Sequence, residues 1–175
     1  MPESTDTGVD SGLSRVNALS AEEFQTEFAR CLDIDRWVTA LERERPFNDR
    51  TALFAAADAH ARTITDDEVA KALARHPRIG ERATGRDTES AWSRGEQAGV
   101  DTGRSDVRDA FQAANAEYER RFGQIYLVCA SGRSGEELLA DLTDRLGNDP
   151  ATEARVVADE LRKIALVRVE KVLDQ

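Results

Sequence analysis

Apolar residues along this chain recur three and four positions apart, the spacing that gives an α-helix one greasy face. Phe24, Phe28 and Cys31 make the first such stripe, just behind Ser20 and Glu23, which have capping-box spacing. A short helix carrying Trp37, Val38 and Leu41 follows and ends before Pro46. Asn48 is placed to cap the next, which runs through Leu53, Phe54, Ala57 and Ala61. Thr65 and Glu68 repeat the capping box ahead of Val69, Ala70 and Leu73. Pro77 then ends that helix, because proline drives the residue before it out of the α region.

A loop over 78–86, punctuated by Gly80 and Gly85, leads to predicted helices over 88–98 and 106–121, the second stopped by Gly123. Ser134 and Glu137 cap a helix carrying Leu138, Leu142 and Leu146, which Gly147 and Asn148 close. Asp149 and Pro150 open a last helix running towards Gln175. One segment breaks the pattern: residues 125–130, Ile-Tyr-Leu-Val-Cys-Ala, are continuously apolar and rich in strand formers. With no second strand to pair with, the segment reads as a buried extended connection inside an all-α, single-domain, multi-helix bundle. Residues 1–15 are too polar to offset the cost of ordering and read as a disordered acidic tail, leaving 16–175 as the domain.

Composition narrows the function classes. A chain of 175 residues with 40% hydrophobic content can bury a core without disulfides or metals. The net charge of -10 argues against nucleic acid as a partner, because phosphate-backbone affinity needs a basic patch. Lysine is confined to Lys71, Lys163 and Lys171, and such an acid-rich, lysine-poor surface suits high salt. No run reaches the roughly 18 apolar residues of a membrane span. The opening residues lack the apolar core of a secretory signal, and Leu173-Asp174-Gln175 is not a peroxisomal address. Cys31 and Cys129, far apart in apolar surroundings, read as reduced core residues of a cytoplasmic protein. His60 and His76 are the only histidines, and with two cysteines at no ligand spacing they give no metal site.

The candidate chemistry lies on a few polar residues. His76 falls at the end of its helix, where the dipole favours an imidazolium; as it stands it is either a catalytic group or an exposed capping residue. His60, inside a helix among alanines, has no polar partner in view. Ser93, Glu96 and Gln97 share one helix face and can orient a polar heterocycle, although Ser-x-x-Glu is also a cap signature. Arg168 falls on the apolar stripe of the last helix, four residues after Ile164, so it should meet either a buried carboxylate or a ligand anion. Residues 130–135, Ala-Ser-Gly-Arg-Ser-Gly, look like an anion nest but lack the lysine of a phosphate loop.

Taken together these segments resemble the 2-oxo-4-hydroxy-4-carboxy-5-ureidoimidazoline (OHCU) decarboxylase family of urate breakdown. The resemblance rests on His76-Pro77-Arg78-Ile79-Gly80 and on 92–99, Trp-Ser-Arg-Gly-Glu-Gln-Ala-Gly. It extends through Asn115-x-x-Tyr118-Glu119-x-x-Phe122-Gly123, the run from Ile125 to Ser134, Arg145-Leu146-Gly147-Asn148, and Ile164 to Arg168. It implies an all-α fold, no metal or organic cofactor, and a homodimer. It implies cofactor-free decarboxylation to (S)-allantoin, with urate oxidase and hydroxyisourate hydrolase as pathway neighbours. By the same resemblance His76 and Glu96 are the catalytic pair. Pro77, Ser93, Gln97, Arg168 and the main chain of Tyr126, Leu127 and Val128 bind the ureidoimidazoline substrate. Val169 stands where the family usually has leucine. A hydrogen-bonded glutamate would raise the imidazole pKa of His76. The competing readings are an inactive or non-enzymatic helical interaction module, and a decarboxylase of a related ureido-heterocycle.

Overall fold

The computed structural model describes residues 10–76, 88–96 and 105–175; within the helices, the side chains of 88–90, 93 and 105 also lie outside the description. Among the described residues the chain is all-α. Its helices are α1 Ser11–Ala18, α2 Ala21–Ala29, α3 Asp35–Arg43, α4 Arg50–Ala61, α5 Asp66–Leu73, α6 Thr88–Glu96, α7 Ser105–Phe122, α8 Gly135–Arg145 and α9 Pro150–Leu173. The 24 residues of α9 form the axis of the molecule, about 36 Å long at 1.5 Å per residue. Helices α1, α2, α4 and α5 pack against it, α3 joins α2 to α4, and α7 pairs with α8.

Local signals set the helix starts. Ser20 Oγ accepts the Glu23 N–H at 3.1 Å while the Glu23 carboxylate accepts the Ser20 N–H at 3.3 Å, and Thr65 with Glu68 repeats the exchange at 3.2 and 2.9 Å. Asp149 accepts from the Thr152 N–H at 2.8 Å ahead of Pro150. Each such cap is worth about 1 kcal/mol. The cap of α4 is Asp49, not Asn48: its carboxylate takes the Ala52 N–H at 2.7 Å and also places negative charge at the positive end of the helix dipole. His60 is not isolated either; its Nε2 lies 3.1 Å from Glu44 Oε2 at the surface.

The tail ends earlier than the sequence suggests. Ser11–Ala18 is helical, capped by Asp10, and buries Gly12, Leu13 and Val16, so the ordered domain includes residues 10–15. Residues 1–9 lie outside the description. Contacts remote in sequence hold α1 in place. Arg15 Nη2 donates to the Val172 carbonyl at 2.8 Å, and Arg50 bridges Asp10 to Asp174. Gly12 approaches so closely that a Cβ there would sit 1.8 Å from the Leu173 carbonyl oxygen. A hydrophobicity count over so short a helix misses these terms.

The segment 125–130 is extended and unpaired, as its composition suggests. Its side chains alternate. Leu127 is buried in the main core around α9, with Ile125 and Cys129 packed against it, whereas Tyr126, Val128 and Ala130 enter a second core with Phe111, Tyr118, Leu138 and Leu142. The connection is therefore a wall shared by two cores, which explains an uninterrupted apolar run in one short segment.

A buried polar network anchors that wall. Arg145, on α8, reaches Glu153 of α9 at 2.5 Å through Nη2 and the Leu127 carbonyl at 2.7 Å through Nη1. Tyr118 donates to Glu153 at 2.5 Å, and Asn148 donates to its other oxygen at 3.0 Å. Burial, with the Glu153 carboxylate, pushes the Tyr118 phenol well above its usual range, so it stays a donor. Removing Glu153 would leave a guanidinium that is 4% exposed with the longer contact to Asp141, at 3.5 Å, as its remaining carboxylate among the described residues. Glu153→Ala is expected to cost about 3–5 kcal/mol of stability, read as a lowered urea midpoint. An unmoved midpoint would mean that the network adds nothing to the fold.

Candidate active site

Three segments carry the site, and each is placed by a helix end or by the α9 axis. Helix α5 ends at Leu73, and the His76 N–H closes the following turn on the Leu73 carbonyl at 3.0 Å. The imidazole is half-buried there. Helix α6 ends at Glu96, whose side chain is 11% exposed. Arg168 rises from α9 with 1% of its surface exposed.

Arg168 meets Glu96 as a planar fork. Nε donates to Oε1 at 2.9 Å and Nη2 to Oε2 at 3.1 Å, while Nη1 donates to the Arg30 carbonyl at 3.0 Å. Arg30 is the C-cap of α2, so the guanidinium also satisfies a carbonyl with no partner inside its own helix. Lys171, less than a turn further along α9, brings its ammonium within 3.5 Å of Glu96 Oε1 and of the Trp92 carbonyl. The placement of Arg168 on the apolar stripe thus has the meaning its sequence position suggests: a buried cation met by a carboxylate.

The expectation for His76 is overturned in one respect. Glu96 is paired with Arg168 and Lys171, and among the described residues no hydrogen bond joins it to His76. Burial, reinforced by the charges of Arg168 and Arg75, pushes the imidazole pKa down to about 3 instead of raising it. The ring is therefore neutral at physiological pH.

The remaining candidates divide. Pro77, Gln97 and the side chain of Ser93 lie outside the described residues. Tyr126, Leu127 and Val128 are all buried, with the Leu127 carbonyl committed to Arg145 and the Tyr126 hydroxyl to Asp141 and, at 3.4 Å, the Leu138 carbonyl. Cys129 comes from the same segment and packs against the main core; burial raises its thiol pKa, and the charges of Glu160 and Glu96 add to the shift. Both cysteines are free, Cys31 fully buried and Cys129 partly.

Lys171 and Cys129 were not among the residues the sequence singled out. The available signals were the i, i+3 spacing from Arg168 and the alternation along 125–130.

A second cleft, of about 440 Å³, opens between the end of α4 and the start of α9 and contains none of these residues. Two of its arginines, Arg62 and Arg162, are already bound to Asp58 at 2.8 and 2.5 Å. Among the described residues no cluster of His, Cys, Asp and Glu side chains has a metal-binding arrangement, and no helix is long and apolar enough to cross a membrane.

Comparison with known proteins bears on this geometry. The family model for OHCU decarboxylase matches residues 17–170. The 2-oxo-4-hydroxy-4-carboxy-5-ureidoimidazoline decarboxylase of Amia calva is 31% identical over 164 residues, which are 92% of this chain and 94% of that protein. The enzyme of the same name from Haloferax volcanii is 27% identical over 160 residues, covering 90% of this chain and 93% of that one. In fold, the chain is similar to the crystal structure of an OHCU decarboxylase in the presence of (S)-allantoin. That likeness has a TM-score of 0.68 at 23% identity and covers 85% of this chain and 98% of the other. A family match running from α1 through α9, over a bundle that brings His76, Glu96 and Arg168 to one place, leads to a single conclusion: the chain belongs to the OHCU decarboxylase family.

Proposed function

We infer that this protein is a carboxy-lyase of urate breakdown, converting 2-oxo-4-hydroxy-4-carboxy-5-ureidoimidazoline to (S)-allantoin with His76 and Glu96 as the catalytic groups. The observation that carries the reading is the buried Arg168–Glu96 fork beside a neutral His76, in a chain of this family. The substrate is an anion whose carboxylate shares a ring carbon with a hydroxyl, next to a ring imine. The bond to the carboxylate breaks, carbon dioxide leaves, and the electron pair moves into the ring towards the imine nitrogen. The hydroxyl then gives up its proton to become a carbonyl, while the nitrogen and the neighbouring carbon each take one. One proton is consumed per carbon dioxide released, and the imine serves as electron sink, so the reaction needs no organic cofactor or metal.

Each group has a task in this scheme. Arg168 exchanges its Nη2 contact with Glu96 for a substrate oxygen and holds the carboxylate so that the breaking bond stands out of the ring plane. A neutral imidazole at His76 takes the hydroxyl proton and returns it to one face of the neighbouring carbon. Glu96 orients the hydroxyl and the resulting imidazolium. Pro77, Ser93, Gln97 and the N–H groups of 126–128 complete the binding of the ring and ureido arm. The protein works as a cytoplasmic homodimer, downstream of urate oxidase and hydroxyisourate hydrolase, without nucleic-acid or membrane partners.

The test is circular dichroism during a coupled reaction. Urate is oxidised by urate oxidase and opened by hydroxyisourate hydrolase, and this protein is added in low and in high salt. A fast rise of optically active allantoin is the expected result. Allantoin forming slowly and as a racemate, at the rate without protein, would overturn the reading.

A further inference from the structure

Lys171 has no role in the scheme above, yet it makes the second cationic contact to a catalytic carboxylate. Its Nζ lies 3.5 Å from Glu96 Oε1, the same oxygen that Arg168 holds through Nε at 2.9 Å. Among the described residues the other oxygen, Oε2, is held by Arg168 Nη2. The two carboxylate oxygens are therefore unequal. One is shared between two cations and the other rests on a terminal guanidinium nitrogen.

Charge balance gives the inequality a consequence. Among the described groups Arg168 and Lys171 carry two positive charges against the single negative charge of Glu96. An arriving substrate carboxylate makes the count two against two. Without Lys171 the described groups and the substrate would set two anions against one cation in a place where Glu96 is 11% exposed and Arg168 1%, and a buried excess charge is costly. The neighbouring charges do not remedy this. Lys163 and Glu160, further back on α9, lie 3.4 Å apart and offset one another; Arg75 lies 3.6 Å from Asp33. The Cys129 thiol is held protonated by its burial.

We propose that Lys171 is a positioning residue for the decarboxylation, anchoring Oε1 of Glu96 when the substrate takes Nη2 of Arg168. With Oε1 held by Nε and Nζ, the carboxylate stays in the site and Oε2 swings free to face the substrate hydroxyl and His76. The Nζ contact with the Trp92 carbonyl, 3.5 Å away in the last turn of α6, ties the anchor to the helix that carries Glu96. The proposal rests on the decarboxylase reading above.

The experiment compares wild type, Lys171→Met and Lys171→Arg in the coupled dichroism assay, with thermal melting of each. Wild-type turnover is established first; its absence would overturn the decarboxylase reading, and this proposal with it. Given that turnover, Lys171→Met is expected to lower kcat about 10- to 100-fold, the range carried by a charge-assisted contact, with KM within about threefold. Lys171→Arg should restore kcat to within about threefold of wild type, and melting should be unchanged because the side chain is 30% exposed. A kcat within about twofold of wild type in Lys171→Met would overturn the proposal. So would a raised KM at unchanged kcat, which would mean contact with the substrate instead of Glu96, or a failure of arginine to restore the rate.

Discussion

His76→Ala is expected to lose about 10²- to 10⁴-fold in kcat while remaining folded, the span that a positioned acid–base group contributes. The fold survives because the hydrogen bond that closes the turn is made by the residue's backbone N–H, which alanine keeps. The imidazole's own contribution to stability has a definite sign. Its folded-state pKa is pushed down to about 3, whereas an unfolded histidine titrates near its ordinary value of 6.5. Between those values the unfolded chain binds a proton that the folded one does not, so this contribution is intact above pH 6.5 and is lost as the pH falls towards 3. The wild type should therefore lose more melting temperature between pH 7 and pH 4 than His76→Gln does. In kinetics, the acidic limb of kcat/KM should lie well below 6.5, since a base that is already neutral has nothing to lose there. A variant that keeps most of its turnover would remove His76 from the chemistry. A wild-type acidic limb at 6.5 would show the imidazole to be solvated and unperturbed.

Arg168→Ala is the second large effect, and it should damage binding and stability together. The substitution deletes the hydrogen bonds to both Glu96 oxygens and to the Arg30 carbonyl, and among the described residues it leaves Glu96 with the longer contact to Lys171. Breaking a buried ion pair on one side costs about 3–5 kcal/mol, and loss of the substrate's anion clamp should lower kcat/KM by more than about 10³-fold. The two losses can be separated. Glu96→Gln added to Arg168→Ala removes the stranded charge, so the double variant should recover much of the lost stability and none of the activity. Unchanged melting of Arg168→Ala would place the side chain outside the core. Recovery of activity in the double variant would mean that the pair holds the fold without touching the substrate.

Where the sequence was informative, it was so through local physics. Capping boxes at Ser20 and Thr65, Pro150 at the first position of α9 and Gly123 at a φ of +69° each act within one turn of chain. Such signals survive any change of tertiary context, and the observed helix bounds follow them closely. Arg168 was legible for a related reason, since a guanidinium on an apolar stripe requires a counter-charge wherever the helix packs. Helix α1 was not legible. Its stripe consists of little more than Leu13 and Val16, and what orders it is Arg15 reaching Val172, 157 residues away, with Gly12 against the last turn of α9. Asn48 and Asp49 stand side by side as possible caps, and only the backbone direction chooses between them.

The candidate site residues divide in the same way. The sequence by itself determined that the chain is a helical bundle with one buried extended segment, and it pointed to His76, Glu96 and Arg168 as the groups to watch. Only the tertiary structure decided how they meet. Glu96 stands 20 residues after His76 but is claimed by Arg168, 72 residues further on, and by Lys171. That choice reverses the effect expected on the imidazole, from a proton held to a proton refused. Charge type and helical spacing are properties of neighbouring residues and can be read along the chain. A pKa depends on burial and on the sum of charges within several ångströms, and that sum exists only once α5, α6 and α9 have packed.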